Sequence, residues 1–301
     1  MNDPAVMKPP IFALLTDFGL EDEYVGLMKA VLLARLPEAR IFDLCHAVPP
    51  QDIAQGAFIL ERALPYLPPA CQVIAVVDPG VGGKRRLIAA QLAGRWYLAP
   101  DNGLLTPVLR RQPEKVIVLR PPDDLLLAAS ATFHGRDILA PMAALLAAGG
   151  DTSRIGASVS AANCCFLPEP PLVKEATGIL GEIIRVDRFG NLTTNICRDM
   201  LPAATEQCQV TIGSQAIMGI SATYSEKPPG DLLALWDSRD YLEIAVADGS
   251  AANFLRVGKG AAVRLLWRIP SSKREGIRPD QPSLTKDPAS GLTDWLNQKN
   301  D

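Results

Sequence analysis

The polar residues able to do chemistry stand where apolar runs stop. Gln72 to Val77 is short, apolar and largely β-branched, and it empties into Asp78-Pro79-Gly80-Val81-Gly82-Gly83 and the basic triplet Lys84-Arg85-Arg86. A run of that length bounded by turn residues reads as a buried strand. It delivers a carboxylate to the strand's carboxyl end, the edge at which open α/β sheets bind ligands, with glycines that let backbone approach a ligand or take positive φ. A strand followed by an ordinary surface turn explains the stretch as well. The pattern repeats, however: Pro10 to Thr16 stops at Asp17-Phe18-Gly19, Arg40 to Cys45 at His46, and Trp96 to Ala99 at Pro100-Asp101-Asn102-Gly103. Thr132 to Asp137 precedes the apolar run Ile138 to Ala148, which sets His134 just before a helix N-terminus. There the dipole disfavours imidazolium and welcomes a negative partner; the plain alternative is a loop histidine that caps the helix.

These positions require a scaffold. From about Glu21 the spacing becomes helical, with Tyr24, Val25, Met28, Val31, Leu32 and Leu36 on one face and Asp22 and Glu23 in the first turn. Gln51 to Leu64 reads as the next helix, and Lys115 to Arg120 as a further strand. Strands alternating with helices predict an α/β domain with a mostly parallel sheet, which places Asp17, His46, Asp78 and Asn102 along one crevice. Asp17, Asp78 and Asn102 of this edge, with His134, also suit two divalent ions in a metal-dependent phosphoesterase.

After a Pro-rich stretch the grammar changes. Gly181–Val186, Thr193–Cys197, Gln209–Ile212, Ala216–Ile220, Leu232–Trp236, Tyr241–Val246 and Ala261–Arg268 are short strand-like runs with turns about every ten residues, the spacing of an all-β barrel or sandwich domain. The expected division is an α/β domain over 10–150, a linker over 151–176, a β domain over 177–270 and a mobile polar tail over 271–301, with a short helix near Trp295. Within the β domain, Phe189-Gly190-Asn191 could present an aromatic face and an amide to a planar base. A hairpin turn with Phe189 tucked inward explains it equally.

Composition narrows the class. The chain has 301 residues, 48% hydrophobic and 21% charged, enough for two ordinary cores. A formal charge of −3 with scattered basic residues gives no electrostatic case for nucleic acid. No apolar run reaches about 18 residues, and no signal-peptide layout opens the chain, so a cytoplasmic protein with no membrane partner is expected. The six cysteines form no C-x-x-C pair and the only histidines are His46 and His134, which argues against structural zinc and for reduced, mostly buried thiols.

Read in order, LLTDFGLEDEYVG, VVDPGVGGKRR, LAPDNGLL, TFHGRD and VDRFGNLTTNI closely resemble motifs of the S-adenosylmethionine hydroxide adenosyltransferase family, hydrolase relatives of the fluorinase and chlorinase enzymes. The resemblance runs from about Phe12 to Arg268. It implies an N-terminal α/β and a C-terminal β domain, a homotrimer holding substrate between one subunit's first domain and a neighbour's second, and hydrolysis of S-adenosylmethionine to adenosine and methionine without cofactor or metal. The family's catalytic trio falls on Asp78, Arg85 and His134, and Arg86 stands beside Arg85 as its possible substitute. Sulfonium is a good leaving group, so the 5′ carbon needs an oriented, activated water. An Asp–His pair can accept the proton while arginine stabilises developing negative charge.

The substrate contacts implied are Asp17 to the ribose hydroxyls, Asp187 to the methionine ammonium, Asn191 to adenine, Phe189 and Tyr224 near the base, Ser238 and Arg239 near the methionine carboxylate, and Asp22 as a further amino-acid contact. Three departures separate this chain from the halogenating relatives. They carry Tyr where Asp78 stands and an insertion before Trp96, and an aromatic residue that packs on ribose where this chain has Gln51. The competing expectations are the metal-dependent phosphoesterase and a non-catalytic nucleoside-binding module.

Overall fold

The computed structural model describes residues 9–202 and 206–268. The expectation of a mobile tail over 271–301, including the helix near Trp295, lies outside them. The chain divides into two compact units between Pro171 and Leu172.

The first unit is a seven-stranded sheet covered on both faces. Its elements are β1 (Ile11–Thr16), α1 (Tyr24–Arg35), β2 (Arg40–Cys45), α2 (Ile53–Ala63), β3 (Cys71–Val76), β4 (Leu87–Leu92), β5 (Arg95–Pro100), α3 (Thr106–Leu109), β6 (Lys115–Leu119), α4 (Asp123–Ala128), α5 (Ala140–Ala147), α6 (Thr152–Ile155) and β7 (Gly156–Ser158), and the strand order is β2-β1-β3-β5-β4-β6-β7. Strand pleating sends alternate residues to opposite faces. Phe12, Leu14, Ile74 and Val76 therefore join the core that buries Met28 and Leu32 of α1 and Met142 of α5, while Ala13, Leu15, Val73 and Ala75 join the core that buries Leu60 of α2 and Val108 of α3. β3 is buried along its whole length, as expected for a central strand.

The sheet is mixed, which corrects the expectation of a mostly parallel one. β1, β2, β3 and β5 pair in parallel, but β4 runs antiparallel to both β5 and β6, and β7 antiparallel to β6. The departure is the unforeseen strand Leu87–Leu92, joined to β5 by Ala93 and Gly94 at φ 51° and 70°. Two successive positive φ values make the hairpin turn whose twist matches its strands. Residues 151–171, read as linker, belong to this unit and supply β7. α1 begins at Tyr24 with Glu23 as its N-cap, so Asp22 and Glu23 lie ahead of the first turn and not in it.

The second unit is one eight-stranded antiparallel sheet: β8 (Val173–Glu175), β9 (Gly178–Val186), β10 (Leu192–Cys197), β11 (Glu206–Ile212), β12 (Gln215–Met218), β13 (Leu232–Trp236), β14 (Tyr241–Val246) and β15 (Ala262–Arg268), with the short helix α7 (Ala251–Leu255). The order β12-β11-β15-β9-β10-β14-β13 curls into a nearly closed barrel, the segment after β12 bridging to β13 through Ser221 and Leu235 while β8 pairs with β9. Ile179, Ile183, Leu192, Val210, Ile244, Val263 and Leu265 fill its interior. All six cysteines are free thiols, but only Cys71 and Cys164 are buried and Cys165 is exposed, fewer than expected.

Candidate active site

Beyond the carboxyl ends of β1 and β3 the first unit encloses a cavity of about 400 Å³, whose lining includes Asp17, Gln51, Asp78 and His134. Asp78 arrives there because β3 runs straight through the core to Val77. The following chain folds back through Val81 N–H to Asp78 O (3.2 Å) and Gly83 N–H to Gly80 O (3.0 Å), which returns Arg85 to the start of the loop. Gly82 makes this possible. Its φ is +76°, and a Cβ there would lie 2.5 Å from Ala131 O, so the glycine-rich loop packs directly on the segment leading to His134.

Arg85 ties the cluster together. Its Nε donates to both oxygens of Asp78 at 2.9 and 3.0 Å, and Nη2 donates to Asp78 Oδ2 at 2.5 Å. The same Nη2 stands 2.8 Å from His134 Nδ1. A guanidinium has only donors, so Nδ1 is the acceptor and the neutral ring carries its proton on Nε2. Burial pushes the His134 pKa down, and the Arg85 charge lowers it further against the opposing pull of Asp78 and Asp137. His134 precedes a π-helical turn, Gly135–Leu139, that runs into α5, and its side chain caps nothing, which removes the helix-cap alternative. The loop before it is fixed by Asp137, whose Oδ2 accepts Ser130 N–H at 2.9 Å, and by Ser130 Oγ, which accepts Phe133 N–H at 3.1 Å.

Not every strand-end residue enters the cavity. Asp17 does, with Oδ2 accepting the backbone N–H of Gln51 at 2.7 Å, and Gln51 is held at φ 66° to give it. His46 is buried and bonded to Thr16, while Asn102 donates to Val77 O at 2.9 Å and accepts from Leu104 N–H at 3.2 Å. Neither His46 nor Asn102 lines the cavity, which corrects the expectation of four residues facing one crevice. Of the four residues expected for two divalent ions, Asp17, Asp78 and His134 line the cavity, but Asp78 is paired to Arg85 and the Asn102 amide is bonded to backbone outside the lining. Among the described residues no group of three or more His, Cys, Asp or Glu is arranged to hold a metal. Arg86 turns away to Asp101 and Asn163 O, so it does not substitute for Arg85. Asp22 is exposed ahead of α1 and outside the lining.

The sequence reading missed an aromatic wall. Phe18, Tyr24 and Phe133 meet edge to face with centroids 5.3 to 5.8 Å apart, and all three line the cavity. Arg136 covers Phe133 at 4.8 Å. Tyr24 is thus a cavity residue, 41% exposed, and not part of the helix's buried stripe. The available signal was position: Phe18 follows Asp17 and Phe133 precedes His134.

In the second unit the remaining residues sit on two turns of one design. Asp187 Oδ1 accepts the N–H groups of Phe189 and Asn191, both at 2.9 Å, and Asp237 Oδ1 accepts those of Arg239 and Tyr241 at 2.7 and 3.0 Å. Each turn is closed by a residue at positive φ, Gly190 at 83° and Asp240 at 60°. Phe189 is 76% exposed, so the inward-tucked alternative fails, while Asn191 is buried and donates to Asp187 Oδ2 at 3.2 Å. Tyr224 donates to the buried Glu243 at 2.6 Å. Burial, then that hydrogen bond, then the charges of Glu243, Asp187 and Asp237 push its phenol far above the usual range. Ser238 and Arg239 occupy the second turn. Among the described residues no helix is long and apolar enough to cross a membrane.

Residues 12–156 match the family model of the SAM hydroxide adenosyltransferase N-terminal domain, and residues 181–264 that of its C-terminal domain. The chain is 42% identical to an (R)-S-adenosyl-L-methionine hydrolase of Thermus thermophilus, with 86% of this chain and all of that one covered. It is 38% identical to one of Salinispora arenicola, covering 85% and 97%. A fluorinase of Nocardia brasiliensis is similar at 27% identity, covering 86% and 97%. Among solved structures, an uncharacterised conserved protein from Thermotoga maritima superposes with a TM-score of 0.76 at 33% identity, covering 85% and 99%.

Proposed function

The chain belongs to the SAM hydroxide adenosyltransferase family, and on that premise we propose that it hydrolyses S-adenosylmethionine to adenosine and methionine. The observation that carries the reading is the Asp78–Arg85–His134 cluster: Asp78 and His134 line the cavity with Asp17, and Arg85, outside the lining, bonds to both of them. Water oxygen bonds to the 5′ carbon as the carbon–sulfur bond breaks, and the electron pair leaves with sulfur as the methionine thioether. The water's proton must go to a base. His134 Nδ1 already accepts from Arg85, which leaves the imidazole as a donor through Nε2–H and Asp78 as the base. Arg85 fixes both groups and balances the charge of the attacking oxygen. Asp17 holds the ribose hydroxyls with its carboxylate oxygens, and the wall of Phe18, Tyr24 and Phe133 flanks them.

The second unit supplies Asp187 for the ammonium, Asn191 and Phe189 for adenine, Tyr224 near the base, and Ser238 and Arg239 for the carboxylate, and Asp22 of the first unit is a further amino-acid contact. No metal and no cofactor enters the scheme, and subunits share substrate within a homotrimer.

The test is chromatography of S-adenosylmethionine incubated with the protein in high chloride after dialysis against a chelator. Equal amounts of adenosine and methionine are expected, with no 5′-chloro nucleoside because the Asp78 carboxylate repels halide. Loss of activity on chelation, or binding without turnover, contradicts the reading.

A further inference from the structure

We propose that His46 is a positioning residue for substrate, acting through Thr16 on the loop that carries Asp17. The inference rests on the reading of Asp17 as a substrate ligand. β1 and β2 slip register between Leu14 and Leu15, so Leu14 pairs with Asp43 and Leu15 with Cys45. Passing over Leu44 brings His46 beside Thr16, the last residue of β1. His46 Nδ1 then lies 2.7 Å from Thr16 Oγ1, both residues being buried. The same hydroxyl accepts the N–H of Phe18 at 3.2 Å, and the carbonyl of His46 accepts the N–H of Gly19 at 2.8 Å. Thr16, Phe18 and Gly19 are thus all fastened, directly or through one hydroxyl, to His46, and Asp17 hangs between them.

Proton count gives the direction of this network. The Asp43 carboxylate beside Nε2 can only accept, so the neutral ring carries its proton on Nε2 and Nδ1 accepts the proton of the Thr16 hydroxyl, whose oxygen accepts from Phe18 N–H. Nε2 stands 3.0 Å from Asp43 Oδ1, a pairing distance although off the line of a full hydrogen bond. Asp43 Oδ2 in turn accepts from Lys29 of α1 at 2.8 Å. A hydroxyl, an imidazole and a carboxylate in sequence are the groups of a nucleophilic relay. Here Thr16 is fully buried, capped by Phe18 N–H and outside the cavity lining, so the same groups orient a loop instead. Gln51 N–H secures the Asp17 carboxylate from the other side, so the acid is aimed before substrate arrives.

The experiment is steady-state kinetics with S-adenosylmethionine on the full chain, with thermal melting alongside, for His46→Ala, His46→Asn, Thr16→Val, the Thr16→Val/His46→Ala double variant and Asp17→Ala. His46→Ala is expected to raise KM about tenfold, the worth of one good hydrogen bond, with kcat within about threefold. His46→Asn sets an amide near the place of Nδ1 and should recover most of KM. The double variant should be no worse than the poorer single one. If His46→Ala does not fold, Thr16→Val, which removes only the hydroxyl, carries the same expectation. Unchanged KM in His46→Ala and Thr16→Val while Asp17→Ala raises it overturns the proposal alone, as does an Asn variant no better than Ala. Unchanged KM in Asp17→Ala overturns the reading of Asp17 and this proposal with it.

Discussion

The Nη2 of Arg85 donates to His134 Nδ1 at 2.8 Å while the same nitrogen holds Asp78 Oδ2 at 2.5 Å. One arginine nitrogen therefore fixes the tautomer of the histidine and the orientation of the acid. The histidine must remain neutral for this contact to exist, and its lowered pKa, caused by burial and by Arg85, keeps it so.

A pH dependence follows. Because folding lowers the His134 pKa, the unfolded chain binds more protons below histidine's ordinary value of about 6.5. Stability is then lost as pH falls through that value, until the folded-state pKa is passed. Melting temperatures from pH 8 to 5 should decline below about 6.5, and His134→Gln should flatten that decline. An unchanged slope in the variant contradicts the neutral, buried ring.

Arg85→Lys should fail to replace arginine, because a single ammonium cannot hold two carboxylate oxygens and an imidazole nitrogen from a planar fork. Turnover should fall about a hundredfold or more, with KM within about threefold, since these groups act on the attacking water. A variant with near-normal kcat removes Arg85 from the chemistry.

Gly82→Ala places a methyl 2.5 Å from Ala131 O on a residue at φ +76°. The backbone cost is about 1–3 kcal/mol, read as a lower urea midpoint. Because Gly82 also spaces Arg85 from the His134 segment, kcat should drop as well. Full activity with reduced stability would confine Gly82 to a folding role.

Assembly is tested by mixing. Asp78→Ala and Asn191→Ala chains, each inactive alone, should regain part of the activity when unfolded and refolded together, if one subunit's first unit works with a neighbour's second. Sedimentation of the wild type should give the mass of a trimer. An active monomer contradicts shared sites.

The site was legible in the sequence where a single strand fixes the answer. β3 is apolar but for Gln72 and buried throughout, which makes it central, so Asp78 had to emerge at its end. Side-chain direction at the other strand ends was not legible, because it depends on neighbours: His46 turns in to Thr16, and Asn102 to Val77. The β4–β5 hairpin escaped notice because Leu87–Leu92 is rich in alanine, a weak strand former, and Ala93-Gly94 lacks the usual asparagine or aspartate. The aromatic wall is tertiary, joining Phe18 and Tyr24 to Phe133 more than a hundred residues away. In the second unit the alternation that fills the barrel was plain, and the turn that carries Phe189-Gly190-Asn191 was visible in the sequence.

The central claim is that Asp78, held by Arg85 beside His134, activates water for in-line attack on the 5′ carbon. The direct measurement is turnover of S-adenosylmethionine, chirally deuterated at that carbon, in ¹⁸O-labelled water, followed by mass spectrometry and stereochemical analysis of the adenosine. The account predicts label in the 5′-hydroxyl after a single turnover, with inversion at carbon. Retention, or a first turnover that takes unlabelled oxygen from a carboxylate of Asp17 or Asp78, would show a covalent enzyme ester and contradict it.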